Sequence, residues 1–305
     1  MKRLVACLAA AALAPTAAGC GLGPGKAKSG DVELRVTRDF GRHDTHSDSH
    51  TKTVRESDTV MRFLQSGHKI TTRYGGGFVQ SIDGLAGDQA AERDWFYYVN
   101  GSEASVGAAD HKLSPGDVVQ WDYHDWHATQ HIPAIVGAYP EPFVHGMNAK
   151  RLPTRLECED DSSVACKAVG KALAGQGANV TSAAIGSPAS DKALRVIVAK
   201  FSVAKQVRAA NALTLGPATS GVYARFDAAG RTLTFLNYAG HATRVAPAGT
   251  GLLAATQQPS QPITWLVTGV DDSGVLRAAR ALDPTALRNA FAVAVTPSGL
   301  VRLPA

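Results

Sequence analysis

Two sets of histidines carry spacing that suits metal chemistry. His43, His46 and His50 stand three and four residues apart in a stretch that also holds Asp44 and Asp48. His124, His127 and His131 repeat that spacing. Imidazoles spaced in this way can hold a transition ion such as zinc. A structural zinc site wants a closed tetrahedral set, and no cysteine stands beside either group. The plainer reading is a solvated polar loop and a polar strand end, so no metal ligand is assigned. The chain has no Gly-x-Ser-x-Gly elbow, no phosphate-binding glycine loop with its lysine and no His-Glu-x-x-His. No catalytic residue is assigned, and an enzyme is not expected.

Denser chemistry lies in residues 74–126, which hold three of the four tryptophans and four of the seven tyrosines. Aromatics this close together on strands either fill the core of a small sheet or face a large flat ligand. The elements that would position them begin with Val32, Leu34 and Val36, which alternate with Glu33, Arg35 and Thr37 as in a half-buried strand. A polar loop and a return strand over residues 51–55 follow. Ser57 or Asp58 is suited to cap a helix that buries Val60, Met61, Phe63 and Leu64, and Gly67 ends it. Short strands are expected over 68–74, 77–82, 95–99 and 118–124, with Gly75-Gly76-Gly77 as a hairpin turn rather than an anion cradle. Asn100-Gly101 is a tight-turn signal, and Pro115-Gly116-Asp117 is another. One helix crossing a sheet in this order is a β-grasp-like arrangement. Trp95, Tyr97, Trp121 and Tyr123 are assigned to its core, since a small sheet needs large side chains to bury enough area.

Several of these pieces, in this order, resemble the C-terminal β-domain of the transcobalamin and intrinsic factor family. The matching segments are Gly77-Phe78-Val79-Gln80-Ser81-Ile82-Asp83-Gly84, Trp95-Phe96-Tyr97-Tyr98-Val99-Asn100-Gly101, Val106-Gly107-Ala108-Ala109-Asp110 and Leu113-Ser114-Pro115-Gly116-Asp117. The resemblance covers about a third of the chain. It implies recognition of a corrinoid such as cobalamin, one face of which this domain would cover. On that basis the ligand-binding candidates are Phe78, Val79, Gln80, Ser81, Ile82, Trp95, Phe96, Gly107 and Ala108. Along a strand Phe78, Gln80 and Ile82 share one face and Val79 and Ser81 the other, while Trp95 and Phe96 face opposite sides. Gly107 and Ala108 leave room for close backbone approach. The family also has a helical barrel, and no helical repeats for one are found here. A corrinoid would therefore be held with a separate helical-barrel partner, or the domain serves another ligand.

The remaining features concern export and the second half. Met1-Lys2-Arg3, an apolar stretch of signal-peptide length and small residues up to Gly19-Cys20 resemble a bacterial lipoprotein signal, with Ala17 where leucine is usual. The expectation is a signal over 1–19, lipidation of Cys20, a tether over 20–30, and an exported protein lipid-anchored on the outer face of the cytoplasmic membrane. An oxidising compartment favours a Cys158–Cys166 disulfide over two buried thiols. Formal net charge is +5 without a Lys/Arg block, so nucleic acid is not an expected partner. Residues 31–127 form the β-grasp-like domain, 128–150 a Pro-containing linker, and 151–305 an α/β domain of unassigned role. In that last part strands and helices alternate, including one helix over 203–213 and one capped by Asp272 or Ser273. The fold class is thus α+β. The expected function is capture of a small ligand for uptake, handed to a membrane transporter, with no cofactor required. A cell-surface assembly module and a metal-capture lipoprotein are the alternatives.

Overall fold

The computed structural model describes residues 25–45, 48–190 and 192–305. The signal segment, Cys7, Cys20 and His46 lie outside the described residues. The fold is α+β, with several separate sheets. Among the described residues no helix is long and apolar enough to cross a membrane.

Ala27–Arg38 is the strand on which the first domain is built. Its Val32, Leu34 and Val36 are at most 3% exposed. It pairs antiparallel with Ser49–Arg55 and parallel with Val118–Asp125, which in turn pairs antiparallel with Arg93–Val99. Asn100 and Gly101 take positive φ values of 53° and 77°, the two-residue turn that suits strand twist, and Ser102–Glu103 returns along Arg93–Val99. The helix Val60–Gly67 lays Val60, Met61, Phe63 and Leu64 on one face of this sheet, giving the β-grasp-like plan. Its cap is Thr59, whose hydroxyl accepts from Arg62 N. Asp58 instead accepts from Arg55 N and closes the preceding turn. The first strand begins at Ala27, earlier than its apolar alternation, because Ala27, Lys28 and Ser29 pair with Arg55, Val54 and Thr53. The end of the expected tether is therefore sheet. Ile70–Arg73, Phe78–Ile82 and Leu85–Ala86 make a small sheet beside the helix.

The second domain is a seven-stranded sheet in the order Val180–Ala183, Thr154–Cys158, Leu194–Lys200, Ile263–Gly269, Gly251–Thr256, Ala292–Thr296 and Gly299–Leu303. The first four run parallel and the others antiparallel. Ile263–Gly269 and Gly251–Thr256 are buried throughout because both faces are covered. Val164–Gly175 and Asp272–Arg280 cover one face. The other packs on short helices and on the sheet of Ala224–Phe226, Leu233–Leu236 and Ala242–Val245. The single helix expected over 203–213 is instead Phe201–Ala204, Arg208–Asn211 and a 3₁₀ turn at Ala212–Thr214. Buried Val207 interrupts it with extended ψ of 127°. Asp271, one residue before the expected cap, accepts from Gly274 N at 2.7 Å. Cys158 and Cys166 form a disulfide with Cα atoms 6.0 Å apart.

The alternation of Ala27–Arg38 predicts a wet polar face, and here the structure differs. Arg35, Thr37, Gln120, Asp122 and His124 are all at most 5% exposed. They lie on the sheet face turned toward the second domain. Arg35 Nη1 donates to Gly137 O at 2.8 Å, and Gln120 Nε2 to Asn289 O at 3.1 Å. Asn289 Nδ2 donates to Asp44 Oδ1 at 2.7 Å. Residues 128–150 are likewise more than a boundary crossing. Ile132 and Ile135 enter one core, and Tyr139 and Phe143 the other.

Asp122 gathers four donors at this interface, from Thr37 Oγ1, Phe40 N, Gly41 N and the His124 ring. Asp122→Asn removes the charge and leaves donors facing an amide, so stability to urea should fall by about 3 kcal/mol, loosening both domains in one transition. An unchanged midpoint would show that the interface does not depend on this carboxylate. Replacing both Cys158 and Cys166 by Ser should cost about 2.5 kcal/mol, the entropy of a loop of about eight residues. Urea melts of the oxidised wild type and the double variant measure it.

Candidate functional site

The strand alternation that fills the first core also leaves one aromatic-walled groove open. On Phe78–Ile82, Val79, Ser81 and Ile82 turn inward and are at most 6% exposed, while Phe78 is 39% exposed. On Arg93–Val99, Trp95 is buried and its Nε1 donates to Leu85 O at 2.8 Å, whereas Phe96 faces the other way. The groove is lined by Tyr74, Phe78, Phe96 and Trp126, by Arg73 and Asp94, and by the amides of Gln80, Gln89 and Gln130, with His131 at its edge. Its volume is about 490 Å³.

Each wall has a local cause. Tyr74 sits at φ 53°, followed by Gly75 and Gly76 at 69° and 96°. This left-handed turn ends the hairpin and projects the Tyr74 ring into solvent, 84% exposed and edge-on to Phe78 at 6.1 Å. Phe96 lies flat on the buried His124 ring, centroids 4.5 Å apart, and His124 lies in turn on Phe40 at 4.7 Å. Trp126 is held at the strand end by its N–H to Glu92 O at 2.8 Å. Among the described residues the side-chain amides of Gln80, Gln89 and Gln130 make no hydrogen bond within the chain. Each therefore offers a donor and an acceptor beside an aromatic surface.

Two carboxyls near the groove are tuned by burial. Desolvation raises Asp94, against the backbone N–H of Trp95 and the charges of Arg73 and His124, which pull it down. Glu103 is raised by the same cause and held back by His131. Folding thus disfavours the charged form of Asp94. Its contribution to stability weakens as pH rises past the ordinary carboxylate range, and a ligand N–H would offset the lost solvation.

Of the sequence candidates, Phe78, Gln80 and Phe96 come together in the groove. Val79, Ser81, Ile82 and Trp95 line the core side. Gly107 and Ala108 form the turn against the helix, where Met61 N donates to Ala108 O at 2.9 Å. Their small size serves close packing, for a Cβ at Gly107 would sit 3.2 Å from Gly77 O. Sequence reasoning missed Arg73, Tyr74, Gln89, Asp94, Trp126 and Gln130. The signal for Tyr74 and Trp126 was their place at strand ends beside turns, where an aromatic has no core to enter.

Among the described residues, the clustered histidines do not converge on one another. His124, His127 and His131 face three different carboxylates, Asp122, Glu92 and Glu103. His50 lies near Glu33 and Asp48, but Arg288 bonds to both carboxylates and makes that cluster an ion-pair network.

A family model described as a domain of unknown function (DUF4430) matches residues 57–125. No curated protein matches the chain. Several solved structures resemble part of it, among them these two. One is described as a "putative metal binding protein" from Ruminococcus gnavus ATCC 29149, at 14% identity and a TM-score of 0.26, over 32% of this chain and 97% of that one. The other is haptocorrin in complex with Cbi, at 14% identity and a TM-score of 0.25, over 32% of this chain and 25% of that one.

The groove's electrostatics can be read directly. In carbon-detected NMR the Asp94 carboxyl should titrate above the ordinary Asp value, and exposed Asp160, held down by its Ser162 bonds, below it. The reverse order would mean that Asp94 is more solvated than its position indicates.

Proposed function

We propose that this protein captures a small, flat, amphipathic molecule in the groove between the Tyr74–Phe78 turn and Trp126. The observation that carries the reading is the combination of four aromatic side chains with three uncommitted primary amides on one open concavity. Aromatic faces take up a broad apolar ring by stacking. Glutamine amides, Arg73 and Asp94 meet polar groups around its rim, giving the mostly apolar pocket with a few placed polar groups that small ligands need. A corrinoid, a broad macrocycle edged with amide arms, fits this chemistry. The role is capture without catalysis.

The wider setting is part of the same proposal. The protein is exported, held to the outer face of the membrane through Cys20, and passes its ligand to a transporter. The groove meets one side of a ligand only, so a helical-barrel partner would cover the other.

Titration of the chain from Gly21 onward with cobinamide tests the central claim. Corrins absorb in the range of tryptophan emission, and Trp126 is the tryptophan that lines the groove. Saturable quenching is expected, with most of it lost in Trp126→Phe. Phe78→Ala combined with Gln80→Ala should weaken binding at least tenfold while moving Tm little, since Phe78 is only partly buried. Binding that survives both variants would place the ligand elsewhere. No binding at all would remove the corrinoid and leave the groove for another flat ligand. Intact mass of Cys20 recovered from membranes tests the anchor separately.

A further inference from the structure

We infer that the face around the start of the Ala27–Arg38 strand is a docking surface for anionic phospholipid headgroups. Lys26, Lys28, Arg55 and Lys112 line one shallow cavity of about 400 Å³. They converge because Ala27 pairs with Arg55, and because Lys112 bridges to Thr59 at the head of the helix. Lys150 and Arg151 follow directly on the Asn148–Ala149 turn that forms another part of its wall. Two carboxylates, Glu56 and Asp110, share the cavity, so cations outnumber anions. Among the described residues none of the four lysine and arginine side chains lining it makes an ion pair. All four residues are exposed.

Unpaired cations gathered on one face form an electrostatic footprint for a polyanion. Its position decides among polyanions. The face lies where the chain enters the fold, and five residue-to-residue steps lead from Cys20 to Gly25. Extended, they reach at most about 18 Å. An anchor at Cys20 would therefore hold this face close to the bilayer, within about two Debye lengths. The choice of the bilayer rests on the anchoring reading above; the charged face does not. Docking here would turn the aromatic groove into a fixed orientation relative to the membrane instead of leaving it to swing on a tether.

The test uses the chain from Gly21 onward, which contains every described residue and cannot be lipidated at Cys20, so its outcome is independent of that modification. It is sedimented with vesicles of phosphatidylcholine alone and of phosphatidylcholine with about a third phosphatidylglycerol. Each exposed cation near an anionic bilayer strengthens partitioning about fivefold. Binding to the anionic vesicles only is expected, lost between roughly 50 mM and 500 mM salt. Lys26→Gln, Lys28→Gln, Arg55→Gln and Lys112→Gln together should weaken it by roughly 600-fold. Four exposed cations replaced elsewhere, Lys167→Gln, Lys171→Gln, Arg208→Gln and Arg280→Gln, should leave most of it. Equal loss in both variants would reduce the effect to net charge and overturn the assignment. So would no binding to anionic vesicles at low salt, or binding to a soluble polyanion such as heparin with none to vesicles. Circular dichroism checks that the variants fold.

Discussion

Asp122 is fully buried with a formal charge, and that is tolerable only because the chain bends to meet it. Asp39, Phe40 and Gly41 all take positive φ, at 57°, 62° and 73°. For the first two this conformation is strained, of order 1 kcal/mol or more each. It aims the N–H groups of Phe40 and Gly41 at the carboxylate, at 3.0 and 2.8 Å. Thr37 and His124 complete its shell. The charge and the strained turn therefore depend on each other. Gly41 is required beyond its φ, because any Cβ there would fall 1.7 Å from Asn289 O on the second domain.

The turn also delivers the Phe40 ring into the space between domains, where it meets His124, Tyr223 and Phe291. His124 is then clasped between Phe40 and Phe96. Phe96 is the groove's floor on one side and the end of this stack on the other. A side chain that faces ligand is thus held in place by residues that join the domains. Trp126, Gln130 and His131 belong to the segment that leads into the second domain, so more than one wall of the groove depends on the same docking.

Much of the architecture was legible because local signals agreed with it. The helix at 60–67, the Asn100-Gly101 turn, the Cys158–Cys166 bridge and the buried strand at 263–269 each followed from apolar period, turn chemistry or compartment. The interdomain face was not legible. Glu33, Arg35 and Thr37 in alternation read as a wet surface, and only a partner offering Gly137 O and Asn289 from far along the chain makes it a buried one. The short helices at 201–211 were hidden for a similar reason, since periodicity does not reveal that Val207 turns into the core. For the groove, strand alternation pointed to Phe78, Gln80 and Phe96. Tyr74, Asp94 and Trp126 come from strand ends and turns whose direction depends on the tertiary fold.

The two faces of the first sheet show why the domains belong together although each has its own core. One face is aliphatic and aromatic, covered by the helix and the small hairpin sheet, and needs nothing more. On the other, Arg35, Gln120 and Asp122 would sit comfortably in water, but Phe96 and Tyr98 would not. Separated, the first domain would expose aromatic rings around a carboxylate that had lost none of its strained turn. Together, the rings enter the second core, and Arg35 and Gln120 find partners beyond the first domain, while Asp122 keeps the donors of its own turn. Apolar burial thus favours the docking, while the hydrogen bonds fix its register, since an imperfect alignment would strand buried donors and acceptors at about 1–3 kcal/mol each. A groove floored by Phe96 is then defined closely only in the docked molecule, which gives residues 151–305 a structural part in the site even though the walls come from residues 73–131.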